Sequence, residues 1–275
     1  MKVSAPDAGH ASLHRLGCAD PWQTLKRLRD HLARHGAEPC SVVRELARTH
    51  RLLCLGEMHD RAGRYMSGQL VSAAAQGGAR YLFVEIYAEH QAQLDRFSKT
   101  GCPTHLPASA GGGDSTPMPF QQPYVDMLCA AREAGMRIIA FDAQGADYDE
   151  RNHVMALTVE QYLRCDAGGG GGVAVVGQLH LVSRPVLGFT TSMAALLRRS
   201  LGDSVVTVGR AVPDVWPAFS VWADVANVVA PAMLQVAGSP FESLASTWGD
   251  ETLVGSDFDH IFFYPAAAVG VSRDA

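Results

Sequence analysis

The sequence predicts an α/β fold with a mostly parallel central sheet that is flanked by helices on both faces. Its strongest β segments are short aliphatic runs without polar alternation, which is typical of strands buried on both faces of a parallel sheet. These runs alternate with segments whose apolar residues recur at helical spacing. A chain of 275 residues, 47% of them hydrophobic, is long enough to bury the core of one large α/β domain.

The first half of the chain begins with two predicted helices. Apolar residues at helical spacing predict a helix over residues 22–35, ended by Gly36, and a second helix from Ser41, as its N-cap, to Thr49. Strands are then predicted at Leu52–Gly56 and Tyr81–Val84, and helices at 64–76 and 88–98.

The second half continues the alternation of strands and helices. The predicted helices are Tyr124–Ala134, Tyr148–Arg164 and Met193–Leu201, and the predicted strands are Arg137–Phe141, Val173–Gly177, Val205–Val208, Val215–Ala223 and His260–Tyr264. The five glycines Gly168–Gly172 precede a strand, and no Gly-Lys-Ser/Thr follows them, so they predict a flexible turn and not a phosphate loop.

Residues 1–20 are predicted to be a disordered N-terminus, and residues 21–275 a single α/β domain. The N-terminus lacks the apolar region of a secretory signal. Residues 100–122 are rich in Gly, Pro, Ser and Thr, which predicts a long loop that is either a lid or an insertion without a role.

The composition of the chain indicates which kinds of partner and compartment to expect. The net charge of −5, without a long Lys/Arg run, gives no reason to expect nucleic acid. No segment has the run of about 18 apolar residues that a membrane span needs. Six cysteines without a Cys-x-x-Cys pair indicate free thiols in a reducing compartment, so a cytoplasmic protein is expected.

Ionisable side chains stand at or just after the ends of four predicted strands. Glu57 and His59 follow the first strand, and Glu85, Asp142 and His180 follow others. Because ligands of open parallel sheets bind beyond the carboxyl ends of the strands, these groups are expected to converge on one cleft. Glu57 and His59 can form a general acid/base pair or bind a metal, or they can serve only the next turn.

Glu85 is costly to bury unless it meets a cation or a wet cleft. Arg151, early in its helix, is a candidate counter-charge or oxyanion clamp, with an exposed first-turn arginine as the alternative. Asp142 is as easily a helix cap, and Gly177 allows close approach of backbone or ligand. The motifs of serine hydrolases, HExxH zinc proteases, Walker NTPases and Rossmann dehydrogenases are missing from the sequence.

Six segments in order carry a family resemblance. LCLGEMHD, FVEIYAEHQAQLDRF, AAREAGMRIIAFDAQ, ERNHVMA, VVGQLHL and FDHIFFYP resemble the superfamily of haem-binding ChaN-like proteins, erythromycin esterases and Tiki/TraB proteins. The likeness covers roughly residues 40–210 and the last strand. It implies a shared cleft formed by the matching residues Glu57, His59, Glu85, Arg151 and His180. Asp142 stands where many ChaN-like sequences have Asn.

The resemblance implies different uses of this cleft. Some members hydrolyse a macrolide lactone through an activated water, Tiki-type members are metal-dependent proteases, and ChaN-like members bind haem. Related domains occur in bacterial toxins and in type III effectors.

The first hypothesis is a hydrolase-like enzyme that activates water and acts on a small-molecule or peptide substrate. Glu57 or Glu85 would be its base, His59 or His180 would position or relay the proton, and Arg151 would stabilise the oxyanion. The alternatives are a haem-binding protein with a ligand such as Tyr87, a divalent-metal-dependent hydrolase, and an effector that acts on a host protein as a cell-death trigger. An effector would enter the host cell by a signal-peptide-independent route. Because Arg151 supplies positive charge in the cleft, no cofactor is favoured, while divalent metal and haem stay open.

Overall fold

The computed structural model describes residues 20–59, 64–107, 122–144, 146–186, 188–211, 230–248 and 251–264. They belong to two compact units, Cys40–Val208 and Met1–Pro39 with Gly209–Ala275. The single domain over 21–275 stays a prediction. The predicted disorder of residues 1–20 falls outside the described residues apart from Asp20, and so do the predicted strand Val215–Ala223 and residues 108–121 of the 100–122 loop.

The larger unit alternates helices and strands along the chain. In order they are α2 (Pro39–Thr49), β1 (Leu52–Glu57), α3 (Ser67–Gln76), β2 (Ala79–Tyr87), α4 (Gln91–Thr100), α5 (Gln122–Glu133), β3 (Arg137–Asp142), α6 (Tyr148–Cys165), β4 (Gly171–Gly177), α7 (Met193–Leu201) and β5 (Val205–Ala211). Here α1 denotes Pro21–His35 in the smaller unit.

The strands of the larger unit form a parallel sheet in the order β3, β2, β4, β1, β5. Every residue of β1 is buried, and β4 and β3 are buried except at their first residue, so both faces of these strands are covered. Burial on both faces is what makes the strand segments aliphatic without alternation. The predicted mostly parallel α/β fold is confirmed.

Most element boundaries agree with the sequence to within a few residues, and three differences have a local cause. Helix α2 begins at Pro39, which needs no hydrogen-bond acceptor for a backbone N–H in the first turn, so Ser41 lies inside the helix and is not its N-cap. Helix α3 begins only at Ser67, because Met66 has a left-handed φ of 58°. Strand β2 extends to Tyr87 through an irregularity in its pairing with β3 after Val84.

In the part of the smaller unit that the structure describes, there are α1 and four short strands. Asp20 caps α1 by accepting a hydrogen bond from the Gln23 N–H. Strands β6 (Ala232–Gln235) and β9 (His260–Phe263) pair antiparallel, and β7 (Ala245–Trp248) and β8 (Glu251–Val254) form a second antiparallel pair. The sequence reading missed β6, β7 and β8, because four residues are too few to establish a period.

The sheet order determines where the strand ends meet. Strand β4 lies between β2 and β1, and Glu57 at the end of β1 is in register with Gly177 at the end of β4. The carboxyl ends of three adjacent strands therefore lie side by side. Among the described helices, none is long and apolar enough to cross a membrane.

Candidate active site

Glu57 is the last residue of β1, and His59 follows it two positions later. The Glu57 carboxylate is 1% exposed, and its Oε1 lies 3.2 Å from His59 Nδ1. The same oxygen accepts a hydrogen bond of 3.2 Å from Nε of Arg64, which stands just before α3. The Arg64 guanidinium in turn lies 4.4 Å from the centre of the Tyr124 ring. Glu57 is thus held between an imidazole and a buried guanidinium.

Glu85 lies at the centre of the site. Its Oε1 accepts a hydrogen bond of 2.6 Å from Arg151 Nη2, and its Oε2 accepts one of 2.7 Å from the Gly177 N–H. The two histidines approach from different sides, with His59 Nε2 3.6 Å from Oε2 and His180 Nε2 3.7 Å from Oε1. The predicted pairing of buried Glu85 with a cation is therefore present.

Arg151 bridges two buried carboxylates. Besides binding Glu85, it donates from Nε to Asp142 Oδ1 at 2.8 Å and from Nη2 to Asp142 Oδ2 at 3.0 Å. Arg151 is 4% exposed, so the alternative of a solvent-exposed first-turn arginine is wrong. The helix-cap interpretation of Asp142 is also wrong, because Asp147 caps α6 by accepting from the Glu150 N–H.

His180 follows β4 and is buried against α6. Its Nδ1 lies 2.6 Å from Oδ1 of Asn152, the residue after Arg151 in the helix. The Tyr148 ring, half exposed at the start of α6, has its centre 6.2 Å from that of the imidazole and 5.1 Å from that of Phe189. The first two turns of α6 thus contact the site through Tyr148, Arg151 and Asn152.

The surroundings of the two histidines shift their pKa values in opposite directions. Burial opposes a charge on His59, but the carboxylates of Glu85 and Glu57 outweigh it and raise the pKa of His59 above its ordinary 6.5. Burial lowers the pKa of His180 to about 4, with Arg151 and His59 adding to the effect and Glu85 opposing it. The pKa values of the two histidines are therefore shifted in opposite directions, and His180 is uncharged at neutral pH.

The pKa values of the two carboxyl groups that Arg151 binds, Glu85 and Asp142, are also shifted in opposite directions. Burial opposes ionisation of Glu85, but the two imidazoles, Arg151 and the Gly177 N–H hold the pKa of Glu85 well below its ordinary value. Burial raises the pKa of Asp142, although its hydrogen bonds to Arg151 act in the opposite direction. Glu85 therefore carries a negative charge at neutral pH at the centre of the site.

Gly177 lets these side chains approach the backbone. A Cβ placed on it would lie 2.9 Å from His59 Nε2, 3.4 Å from Glu85 Oε2 and 3.4 Å from His180 Cδ2. Its φ of −48° is open to any residue, so the constraint comes from contact and not from backbone strain. The expectation from sequence that a glycine here permits close approach agrees with this geometry.

We expect Gly177→Ala to displace His59 from Glu85 and to lower any activity of the site at least about tenfold, because an error of about 1 Å in a catalytic group has large effects. The matched control is Gly68→Ala, whose added Cβ would be 3.4 Å or more from its neighbours. Activity measured beside thermal unfolding checks the prediction, and equal activities of the two variants would contradict it.

The five site residues predicted from sequence thus come together around two glutamates. Tyr87, the candidate haem ligand, ends β2 with its ring centre 6.3 Å from that of His90. Sequence reasoning missed Arg64, Tyr124 and Asn152. Asn152 stood next to a predicted site residue in the ERNHVMA segment, whereas no signal distinguished Arg64 or Tyr124.

A divalent cation fits these residues poorly. Both oxygens of Glu85 already accept hydrogen bonds, and one of the donors is the Arg151 guanidinium at 2.6 Å. A fixed cation so near would repel a dication in a buried site. Within the described part of the chain, no three His, Cys, Asp or Glu side chains are grouped as metal ligands.

Comparisons with known proteins support the fold. The sequence matches no protein-family model and no curated protein sequence. A structure described as a succinoglycan biosynthesis protein is similar with a TM-score of 0.62 at 10% identity, over 89% of this chain and 96% of that one. A Bacillus cereus protein is similar with a TM-score of 0.57 at 10% identity, over 88% of this chain and 97% of that one.

The chain also matches RRSP, a MARTX toxin effector domain from Vibrio vulnificus, at 20% identity over 68% of this chain and 40% of that one. The TM-score of 0.41 is too low to establish a common fold. At these identities, the similarity of the first two structures shows a common α/β fold and assigns no activity. The superfamily resemblance and the catalytic roles stay predictions.

Proposed function

We propose that the protein is a hydrolase whose active site is the cleft around Glu57 and Glu85. The observation that carries this proposal is geometric: His59 Nε2 and His180 Nε2 lie 3.6 Å and 3.7 Å from the two oxygens of one buried carboxylate, Glu85. The surroundings shift the pKa values of the two imidazoles in opposite directions, upward for His59 and downward for His180. A neutral imidazole can accept a proton from water, and an imidazolium can donate one, so the pair provides both halves of general acid–base catalysis.

His180 is the proposed general base. It is neutral because burial lowers its pKa to about 4, and its Nε2 faces Glu85 Oε1 at 3.7 Å. A water that approaches Nε2 from the cleft would donate one proton to it as the water oxygen attacks a carbonyl carbon. Glu85 would stabilise the imidazolium that forms, as a carboxylate does beside a catalytic histidine.

His59 is the proposed acid. It is the partly exposed member of the pair, with 29% of its side chain accessible, so a substrate can reach it. Its protonated ring would stabilise the developing oxyanion and then donate a proton to the leaving group. Glu57 supports this role by accepting from His59 Nδ1 at 3.2 Å, which directs Nε2 towards the cleft.

The glutamates and Arg151 take different roles from those first considered. Glu85 is a weak base because its pKa is held low by its neighbours, so it serves as a fixed charge. The hydrogen bonds of Arg151 to Glu85 and Asp142 favour a counter-charge over an oxyanion clamp. Arg64 is the corresponding counter-charge for Glu57, to which its Nε donates a hydrogen bond.

The proposed substrate contains an ester, lactone or peptide carbonyl. Delivery into a host cell, where hydrolysis would trigger cell death, is proposed only as the setting suggested by the superfamily resemblance. Cell death on expression inside a host cell, lost in a His59→Ala variant, would support that setting.

Two measurements test the alternative functions. Haem binding would appear as a Soret band on addition of haemin. A bound divalent ion would be detected by metal analysis of protein purified without chelator.

Hydrolysis is expected to follow a bell-shaped pH profile. The rate should rise as pH increases through about 4, where His180 loses its proton, and fall as pH passes the pKa of His59, which lies above 6.5. A panel of p-nitrophenyl esters, lactones and labelled peptides measures this, with circular dichroism to follow unfolding and EDTA to remove divalent ions. Loss of all hydrolysis in EDTA, or a rate that is flat across this range, would contradict the proposal.

A further inference from the structure

The Asn152 side chain connects His180 to the start of α7 and the residues just before it. Asn152 is fully buried in α6. Its Oδ1 accepts a hydrogen bond of 3.1 Å from the Met193 N–H, and its Nδ2 donates one of 2.9 Å to the Thr191 carbonyl. The same Oδ1 lies 2.6 Å from His180 Nδ1. One buried amide therefore meets two backbone groups and one imidazole nitrogen.

The two backbone groups determine which way this amide points. A backbone N–H can only donate and a carbonyl oxygen can only accept, so the atom near Met193 must be the oxygen and the atom near Thr191 the nitrogen. The orientation follows from groups whose roles cannot change, which removes the usual ambiguity between the two ends of an amide. His180 Nδ1 therefore faces an acceptor.

An acceptor opposite Nδ1 selects one form of the imidazole. In a neutral ring, one nitrogen carries the proton and the other a lone pair. The proton of His180 is drawn to Nδ1, where it is donated to Asn152 Oδ1, and the lone pair is left on Nε2. That nitrogen faces Glu85 Oε1 at 3.7 Å and Asn152 lies on the other side of the ring.

We propose that Asn152 is a positioning residue, which fixes both the ring orientation and the tautomer of His180 so that Nε2 is the base. The inference deepens the proposed hydrolase and rests on it for its catalytic meaning. The structural claim about the tautomer, however, can be measured without any substrate.

A merely structural role is the competing explanation, because Asn152 also connects α6 to residues 191–193. The two explanations differ in what they predict for His180. The charged or titratable groups that face its ring are Glu85 from β2, Tyr148 and Arg151 from α6, and His59 after β1. Of these, Glu85 is the competing acceptor, but its Oε1 lies 3.7 Å from Nε2, too far for a hydrogen bond, and already accepts from Arg151 at 2.6 Å. Removal of the Asn152 acceptor should therefore let the proton move from Nδ1 to Nε2, which a merely structural role does not predict.

The test uses three variants of this chain, labelled with ¹⁵N-histidine and observed by NMR. In the parent protein, His180 should show a protonated Nδ1 and an unprotonated Nε2. In Asn152→Leu, the preference for that tautomer should be lost, and kcat should fall about 10- to 100-fold with little change in KM, a part of the 10²–10⁴-fold that a general base contributes.

Asn152→Asp keeps an acceptor for His180 Nδ1 and adds a negative charge beside it. A neighbouring carboxylate favours the imidazolium, so the pKa of His180 should rise and the acid limb of the pH profile should move to higher pH. This variant tests the inference even where Asn152→Leu fails to fold, and retention of the Nδ1–H form in it is the expected partial rescue.

Ser192→Ala is the matched control. It removes the cap of α7, where Ser192 Oγ accepts from the Ala195 N–H, and so loosens the same segment without changing the Asn152 amide. Its His180 signals should match those of the parent protein. A protonated Nε2 in the parent protein, or unchanged His180 signals in both Asn152 variants, would overturn the inference. The expected tautomer together with full activity of a His180→Ala variant would instead overturn the proposed function alone.

Discussion

Replacement of His180 by alanine is expected to lower the rate of hydrolysis about 10²- to 10⁴-fold, the range that a general base contributes. The proposed base is Nε2 of His180, which faces Glu85 Oε1. Among the described residues, no other uncharged histidine faces that oxygen. The fold should persist, because β4 ends at Gly177 and its core residues are aliphatic and buried independently of the imidazole. Loss of one buried polar side chain should lower the free energy of unfolding by about 1–3 kcal/mol.

His153→Ala is the control for this experiment. His153 lies in the same helix as Arg151 and Asn152, but its ring is exposed and its Nδ1 faces the Asp149 carbonyl oxygen at 2.8 Å. We expect that variant to keep the parent kcat and KM. Both variants are compared on the same substrate by initial rates, with circular dichroism as the check on folding. Hydrolysis by His180→Ala at more than about a tenth of the parent rate would remove His180 from the role of base.

The positions of the site residues followed from the sequence because a parallel sheet imposes them. Glu57, His59 and His180 each come just after an aliphatic run, and adjacent parallel strands present such residues at one edge. Glu85 was predicted just beyond a strand end. It lies inside β2, where an irregularity after Val84 accompanies the extension of the strand through a carboxylate. The run of hydrophobic residues ends at Val84, whereas strand β2 continues to Tyr87.

The choice of ion-pair partners could not be made from the sequence. Asp142 and Arg151 are nine positions apart. From sequence alone, Asp142 could equally have been a helix cap, and Arg151 could have been a solvent-exposed residue of the first helical turn. Only the approach of α6 to the end of β3 decides between these possibilities. Arg64 and Asn152 depend in the same way on contacts distant in sequence, with Asn152 reaching His180 across 28 positions.

The largest expected effect on stability comes from Arg151→Met. This substitution keeps most of the aliphatic side chain but leaves Glu85 and Asp142 buried without the guanidinium that binds both. Breaking a buried ion pair by removing one partner typically costs about 3–5 kcal/mol. Urea denaturation at pH 7 should therefore show a loss in this range, with activity lost as well because Glu85 is no longer held in place.

The control for Arg151→Met is Arg164→Met in the same helix. Arg164 pairs with Glu160 at the surface with 62% of its side chain exposed, and such pairs contribute about 0–1 kcal/mol. Equal losses of stability in the two variants would mean that the Arg151 pairs contribute no more than a surface ion pair does.

The deficit of Arg151→Met should also depend on pH in a defined direction. In the parent protein, the low pKa of Glu85 contributes stability that is present above the ordinary value of 4.5 and is lost as pH falls through the folded value. Without Arg151, the pKa of Glu85 rises, and in acid the buried carboxyl is neutral and needs no partner. The difference in stability between parent and variant should therefore be largest near neutral pH and shrink as pH falls below about 4.5. A difference that does not change with pH would show that Arg151 stabilises the fold through packing and not through its charge.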